Sequence, residues 1–578
     1  MLLEDRYSLK YFQRQTSMKK EYISIWILLF LLFGFVHNAG YVTDYIGWQE
    51  RVIEGGFWGA LHTYDYPAQL QGYALMMWLT EHMRSISPWL VHASSISLYA
   101  GGTLLLKNLV QSVLFDHGSK NHLWAGWLAA GLFALSPSNT EIVIWRVCPH
   151  YLISIIVWIS SLLLLRTYLN SGKNSSLYWA LGVQVIGLFS LELAYALPIA
   201  VLGWTTYYVF FLKTGTWRRA FIATLGAISL VALHLLLTKI VQGTWIGHYG
   251  ADVATSQPLS EIIAAPWRWI MRSGFHYRFW SRAWKKGLTS YLGNPAVSLA
   301  LYLIVALALS LAVKSWSRLR KTNQLPSTWT ALLLWVFLAG AGTAAISQLY
   351  FYDHFPIEND RLGTLSIVFV AALIATLAAS MPKKLGKPLG IIVIAISCII
   401  QFRAINSWAE SQHIITSLAS SYTDRINEAI KLNKKPEQVY LIGYARSFKG
   451  VQMLADYRPG FSALAGYLSS SVSFPNTGMQ QGVELVDVSQ FHQLALTDKY
   501  KARWEDGKMY VALNAPGSWM MQKDLGVKNR FVEKYGYDLK VEEYRIVLSW
   551  ETPPKKNTIF LYQEFDHFVR LPYKGPYQ

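Results

Sequence analysis

The sequence predicts a mainly α fold: a polytopic membrane helix bundle of about eleven spans, followed by a C-terminal soluble α/β domain. Three observations predict it. Of the 578 residues, 53% are hydrophobic and only 15% are charged, where a soluble protein carries about 25% charged residues. The apolar residues are gathered into runs long enough to cross a hydrocarbon layer of about 30 Å. After about Phe402 the runs stop, and the composition becomes that of a water-soluble domain.

A cytoplasmic segment, 1–21, leads into a first span at 22–40. The polar, aromatic segment 41–88 follows, with short amphipathic pieces such as 68–79. Further spans are expected at 89–112, 123–136, 150–168, 177–190, 193–212, 219–240, 291–313, 328–348, 362–380 and 388–403. Each approaches the roughly 20 apolar residues that a crossing helix needs. The membrane module is therefore 22–403, with outer loops 41–88 and 241–290. Residues 404–578 form the soluble domain. There 409–431 reads as a helix and 439–443 as a buried strand. Segments 500–504 and 508–513 flank Asp506-Gly507, a hairpin turn signal. Segments 541–550 and 558–564 flank a turn containing Pro553 and Pro554.

The net charge of +18 does not mark a nucleic-acid binder, because much of it sits in short loops between apolar runs. Arg6, Lys10, Arg14, Lys19 and Lys20 precede the first span. Lys120, Arg166 with Lys173, Lys213 with Arg218 and Arg219, Lys314 with Arg318, Arg320 and Lys321, and Lys383 with Lys384 and Lys387 fill alternate loops. Cytoplasmic loops carry that excess. The N-terminus is thus expected inside and the soluble domain outside. The outer loop 241–290 is also basic, but long loops obey the rule weakly. Its stretch 267–286 reads as an interfacial amphipathic helix. No cleavable signal peptide is evident. Two cysteines, Cys148 and Cys398, make no disulfide framework.

Polar residues collect on the expected outer side. Asp44 and Tyr45 follow the first span. Glu141, Arg146 and His150 lie in the loop 137–149, Glu192 in a short turn, and Asp360 with Arg361 at the opening of a late span. Ionisable groups at membrane depth are costly, so they face a cavity or each other. Carboxylates and arginines ending several helices at one level can line a single pocket. Glu192 and Arg146 can equally form a structural ion pair. No metal-ligand spacing, phosphate-cradling glycine loop or serine-hydrolase elbow occurs, and neither a metal nor a cofactor is expected.

These segments resemble polytopic GT-C glycosyltransferases that use polyprenyl-phosphate sugars, most closely the protein O-mannosyltransferase branch. Tyr41-Val42-Thr43-Asp44-Tyr45 is similar to F-V-x-D-D, with Tyr45 at the second acidic position. Tyr64-Asp65-Tyr66-Pro67-Ala68-Gln69-Leu70 is a loose version of Y-R-P-L. The segment 132–145, LFALSPSNTEIVIW, resembles L-F-A-L-H-P-V-H-T-E-A-V-A-W, with Ser136 and Asn139 at the two histidine positions. Leu191-Glu192-Leu193-Ala194 with Leu197-Pro198 resembles K-E-x-A-x-x-L-P, and Asp360-Arg361-Leu362 resembles E-R-Y. The likeness runs through most of 20–380 and leaves the C-terminal domain uncovered.

The resemblance implies an inverting glycosyltransferase. It would move a sugar from a polyprenyl-phosphate carrier to an acceptor hydroxyl at the outer membrane face. Asp44 would be the general base. Arg361 and Arg146, or an arginine of 268–282, would hold the donor phosphate. Glu141, Glu192, His150, Tyr45 and Asp360 would line the pocket. The implied partners are the lipid-linked sugar donor, the bilayer, and a glycan, lipid or protein acceptor; no nucleic acid is implied. The expected location is the bacterial inner membrane; loop charge places the C-terminal domain outside, and its short connection from the last span places it over the outer mouth. A lipid-glycan flippase, a glycan polymerase or ligase, or a non-catalytic scaffold are the competing readings.

Overall fold

A computed structural model of the protein describes residues 2–42, 71–243, 259–276, 294–322, 328–344 and 360–432, with isolated positions between them and, beyond 432, ten strands and their nearest turns. The chain divides into two compact units. The first comprises 1–37, 55–355 and 359–405; the second comprises 38–54, 356–358 and 406–578.

The first unit is helical. In chain order its helices are α1 (Leu2–Phe33), α2 (Gln71–Ile86), α3 (Pro88–Asp116), α4 (His122–Ala134), α5 (Thr140–Ile144), α6 (Pro149–Ser171), α7 (Asn174–Leu188), α8 (Leu197–Phe210), α9 (Trp217–Gln242), α10 (Leu259–Phe275), α11 (Pro295–Thr322), α12 (Trp329–Ala344) and α13 (Thr364–Ser380). Helix α14 (Lys383–Lys431) begins in this unit and ends in the second. Local chemistry sets several of these boundaries. Ser87 accepts from Trp89 N ahead of Pro88 to start α3, and Thr216 accepts from Arg219 N to start α9. Gly172 (φ 73°) and Gly243 (φ 77°) end α6 and α9 in the left-handed conformation that side chains resist.

Among the described residues, six helices are long and apolar enough to cross a membrane: Pro88–Asp116, Pro149–Ser171, Glu192–Phe210, Trp217–Val241, Asp360–Ser380 and Lys383–Lys431. They point to a membrane protein. Three of the remaining expected spans fall on shorter apolar helices, His122–Ala134, Ala296–Leu311 and Trp329–Ala344. The other two fall on α1 and α7. Helix α1 stops at Phe33, before the expected 40, and the 15 residues of α7 reach only about 22 Å at 1.5 Å each. Helix α13 is the centre of the bundle: 83% of its apolar window is buried, against 22% for α9. The outer faces of α9 and α11 leave Phe221, Leu233, Leu303 and Leu307 exposed, as lipid-facing helices do.

Among the described residues the second unit joins the end of α14 to two four-stranded sheets and a two-stranded one, β2 (Ser447–Phe448) with β3 (Val451–Gln452). A mixed sheet has the order β10-β9-β1-β4, with β1 (Gln438–Ala445) parallel to both β4 (Gly478–Leu485) and β9 (Thr558–Glu564). An antiparallel sheet has the order β5-β6-β8-β7. Ile414, Leu418, Tyr422 and Ile426 recur at helical spacing on α14 and are buried. Ser421 and Arg425 tie that helix to Phe568 of β10 (His567–Leu571). Tyr440, Trp504, Trp550 and Phe560 stack where the sheets meet.

The Asp506-Gly507 hairpin forms between β5 (Ala502–Glu505) and β6 (Lys508–Ala512). Both turn residues have positive φ, 49° and 70°, which suits the right-handed twist of the strands. The single strand expected at 541–550 is instead two, β7 (Tyr537–Val541) and β8 (Arg545–Trp550), which pair antiparallel with each other. The Pro553-Pro554 segment does not join neighbours: β8 and β9 belong to different sheets.

Candidate functional site: a buried charge cluster

The helix ends that carry the predicted polar residues of the first unit lie at one end of its bundle. The end of α4 turns at Pro137–Asn139 into the short α5, which presents Glu141. The 3-10 turn Asp360–Gly363 precedes α13 and presents Asp360 and Arg361. Glu141 is buried and accepts twice from Arg361. The Arg361 backbone N–H donates to Oε2 at 2.9 Å, and the guanidinium Nη1 donates to Oε1. The next residue back points elsewhere: Arg272 Nε of α10 donates to Asp360 Oδ1 at 2.5 Å. Two acid–base pairs therefore meet on consecutive residues of one turn.

An indole faces each guanidinium. Arg361 lies 4.7 Å from the centre of the Trp145 ring, and Arg272 lies 5.3 Å from that of Trp269. Trp269 packs so closely on Gly363 that a Cβ there would sit 2.6 Å from its ring. Arg272 and Asp360 are 2% and 1% exposed in their side chains, whereas Arg361 retains 13%. Arg361 is thus the more accessible of the two guanidinia. Fixed, desolvated arginines of this kind suit phosphate or carboxylate recognition. Arg268, one turn before Arg272, is also buried. His276 follows at φ 51°, with its Nδ1 3.4 Å from Ser138 Oγ.

The other predicted residues are distributed as follows. Arg146 is fully buried. It donates to Val36 O at 3.4 Å and His37 O at 3.1 Å, and meets His92 Nδ1 at 3.2 Å. Its guanidinium thus lies among the carbonyls that end the first helical stretch. His150 is buried against Tyr73, with ring centres 4.3 Å apart. Glu192 begins the 3-10 turn Glu192–Ala196 and is half-buried. Asn139, at one of the histidine positions, donates to Tyr99 OH and Phe133 O and is enclosed. Tyr45 belongs to the second unit, where it is buried against Tyr41. Asp44 lies outside the described residues, as do 277–286.

The stretch 267–286 is described only through His276. Through His276 its α10 portion packs inside the bundle, with Arg268, Trp269 and Arg272 buried. Neutralisation by Asp360 is what lets Arg272 sit there. Arg272 is the site residue that sequence reasoning placed only within a basic stretch. The spacing of Trp269 and Arg272, three apart on one helical face, was its available signal. No family model and no curated protein matches this chain.

Proposed function

We propose that this chain is an inverting glycosyltransferase that uses a polyprenyl-phosphate sugar donor. One observation carries the reading. The segment that most resembles the GT-C pattern, 132–145, and the shorter 360–362 are far apart in sequence, yet Glu141 and Arg361 bond to each other in a buried cluster containing a second arginine. Such a cluster supports anion recognition at the end of a helical bundle, as a lipid phosphate requires.

In this reading all eleven expected spans cross the membrane, the N-terminus is cytoplasmic, and the cluster faces outward. Arg361 holds the phosphate of the donor, with Arg272 and Asp360 fixing its turn. Asp44 removes the proton of the acceptor hydroxyl. The acceptor oxygen then bonds to the anomeric carbon as the bond to phosphate breaks on the opposite face. Polyprenyl phosphate leaves with the electron pair, its charge held by Arg361.

The test is turnover by the full chain in lipid nanodiscs, supplied with polyprenyl-phosphate-linked hexoses and followed by release of polyprenyl phosphate. Release that depends on both Asp44 and Arg361 supports the reading. Absence of release from every such donor sinks it, and movement of intact donor across vesicles would favour a flippase.

A further inference from the structure

A separate groove of about 910 Å³ lies within the second unit, between the polar face of α14 and the β9–β10 turn. A lone helix face would simply be solvated. This one has a second wall, because Asp566 and His567 stand beside it at the turn. That wall is held in place: Ser421 accepts from Phe568 N at 2.8 Å, and Arg425 Nε donates to Phe568 O at 3.1 Å. The turn itself begins with Phe565 at φ 50°, an unusual conformation for an aromatic residue. The Phe565 ring is anchored against Phe448.

We propose that this groove binds a neutral glycan. Ser417, Ser420, Asp424 and Asn427 line it and make no side-chain hydrogen bond or ion pair among the described residues that would satisfy them internally. Asp424 and Asn427 stand three apart, on one face of α14. Together they offer a charged acceptor, an amide donor and an amide acceptor to neighbouring hydroxyls, and a vicinal diol both donates and accepts. Other ligand classes fit less well. An anion would meet Asp424, Glu428 and Asp566 against Lys431 at the groove's end, while Arg425 is already bonded to Glu428 at 3.0 Å, so acidic side chains outnumber the cations left to meet it. A metal ion finds no group of three ligating side chains among the described residues. An apolar ligand finds mainly polar walls, with Ile430 the apolar exception. The volume lies near the top of the range of about 300–1,000 Å³ usual for small-molecule sites, which favours an oligosaccharide over one sugar ring.

The inference deepens the reading above by supplying a glycan acceptor site, and its test uses binding rather than turnover. The full chain in nanodiscs is titrated with neutral tetrasaccharides of mannose, glucose, galactose and N-acetylglucosamine, and with a sulfated tetrasaccharide and spermine as charged probes. At least one neutral probe is expected to bind in preference to both charged ones. Asp424→Ala and Asn427→Ala should each weaken that binding about ten-fold or more. Ser420→Trp, at an exposed position, should block the groove without touching the core. Arg361→Ala should leave glycan binding unchanged. No binding of any neutral probe, preference for a charged probe, or affinity indifferent to Asp424→Ala and Ser420→Trp overturns the proposal. Glycan binding without turnover of any lipid-linked donor leaves the groove standing and removes the transferase.

Discussion

Arg361 and Glu141 differ in what their loss should do. Removing one partner of a buried pair strands the other charge, at about 3–5 kcal/mol. Glu141→Ala should therefore lower the thermal unfolding temperature clearly; an unchanged unfolding curve would mean the pair contributes nothing to the fold. Arg361→Ala should also weaken donor binding, read as a raised KM together with reduced kcat. Asp44→Asn should do something else: it keeps size and removes basicity, so kcat should fall by about 100- to 10,000-fold with KM nearly constant. Near-normal kcat in that variant would end the assignment. Glu141 and Arg361 were legible in the sequence because each broke an apolar pattern at a helix end. Arg272 was legible only as one arginine of the basic stretch 268–282, because nothing local marks which of them pairs with Asp360. The surroundings of Arg146 were not legible, because its neighbours in space, Val36, His37 and His92, are remote in sequence.

Elements are held at two levels of the bundle. Opposite the charge cluster, Asp116 at the end of α3 takes a bidentate bond from Arg166 of α6 and a third bond from Tyr208 of α8. This clasp fixes three helices at once. Asp116→Ala should destabilise the protein by about 1.5–3 kcal/mol, and a paired Asp116→Leu, Arg166→Met change should recover much of that loss. Equal thermal stability of the single and paired variants would contradict it. At the site end, Gly363→Ala should push Trp269 away from the turn, at about 1–3 kcal/mol of overpacking. Helices α3, α6, α8 and α9 were readable from apolar run length, with proline and glycine marking several of their ends. The pairing of β7 with β8 was hidden, because no Gly, Pro, Asn or Asp between Val541 and Arg545 signals a break between strands.

For the whole molecule, topology is the main expectation. Protease added outside oriented vesicles should remove the 406–578 unit and spare the N-terminal segment. The reverse pattern would invert the proposed orientation. Composition made the membrane half readable, since a bilayer enforces long apolar helices. The second unit was readable only as α/β, because its sheet order depends on pairings between distant segments.

Those pairings bear on how the second unit comes into being. The central strand β1 lies between β4 and β9, so Gln438 pairs with Gly478 on one side and with the much later Thr558 on the other. Until β9 is synthesised, one edge of β1 has no native neighbour. At about 5–20 residues per second the wait is several seconds or more, and non-local pairing then slows closure further. During that interval Val439, Tyr440 and the hydrophobic face of α14 lack part of their cover. This unit should therefore be the stage of biogenesis most dependent on chaperones. Chains stopped before Thr558 should be degraded rapidly, while chains carrying only a lesion in the charge cluster should persist long enough to be assayed.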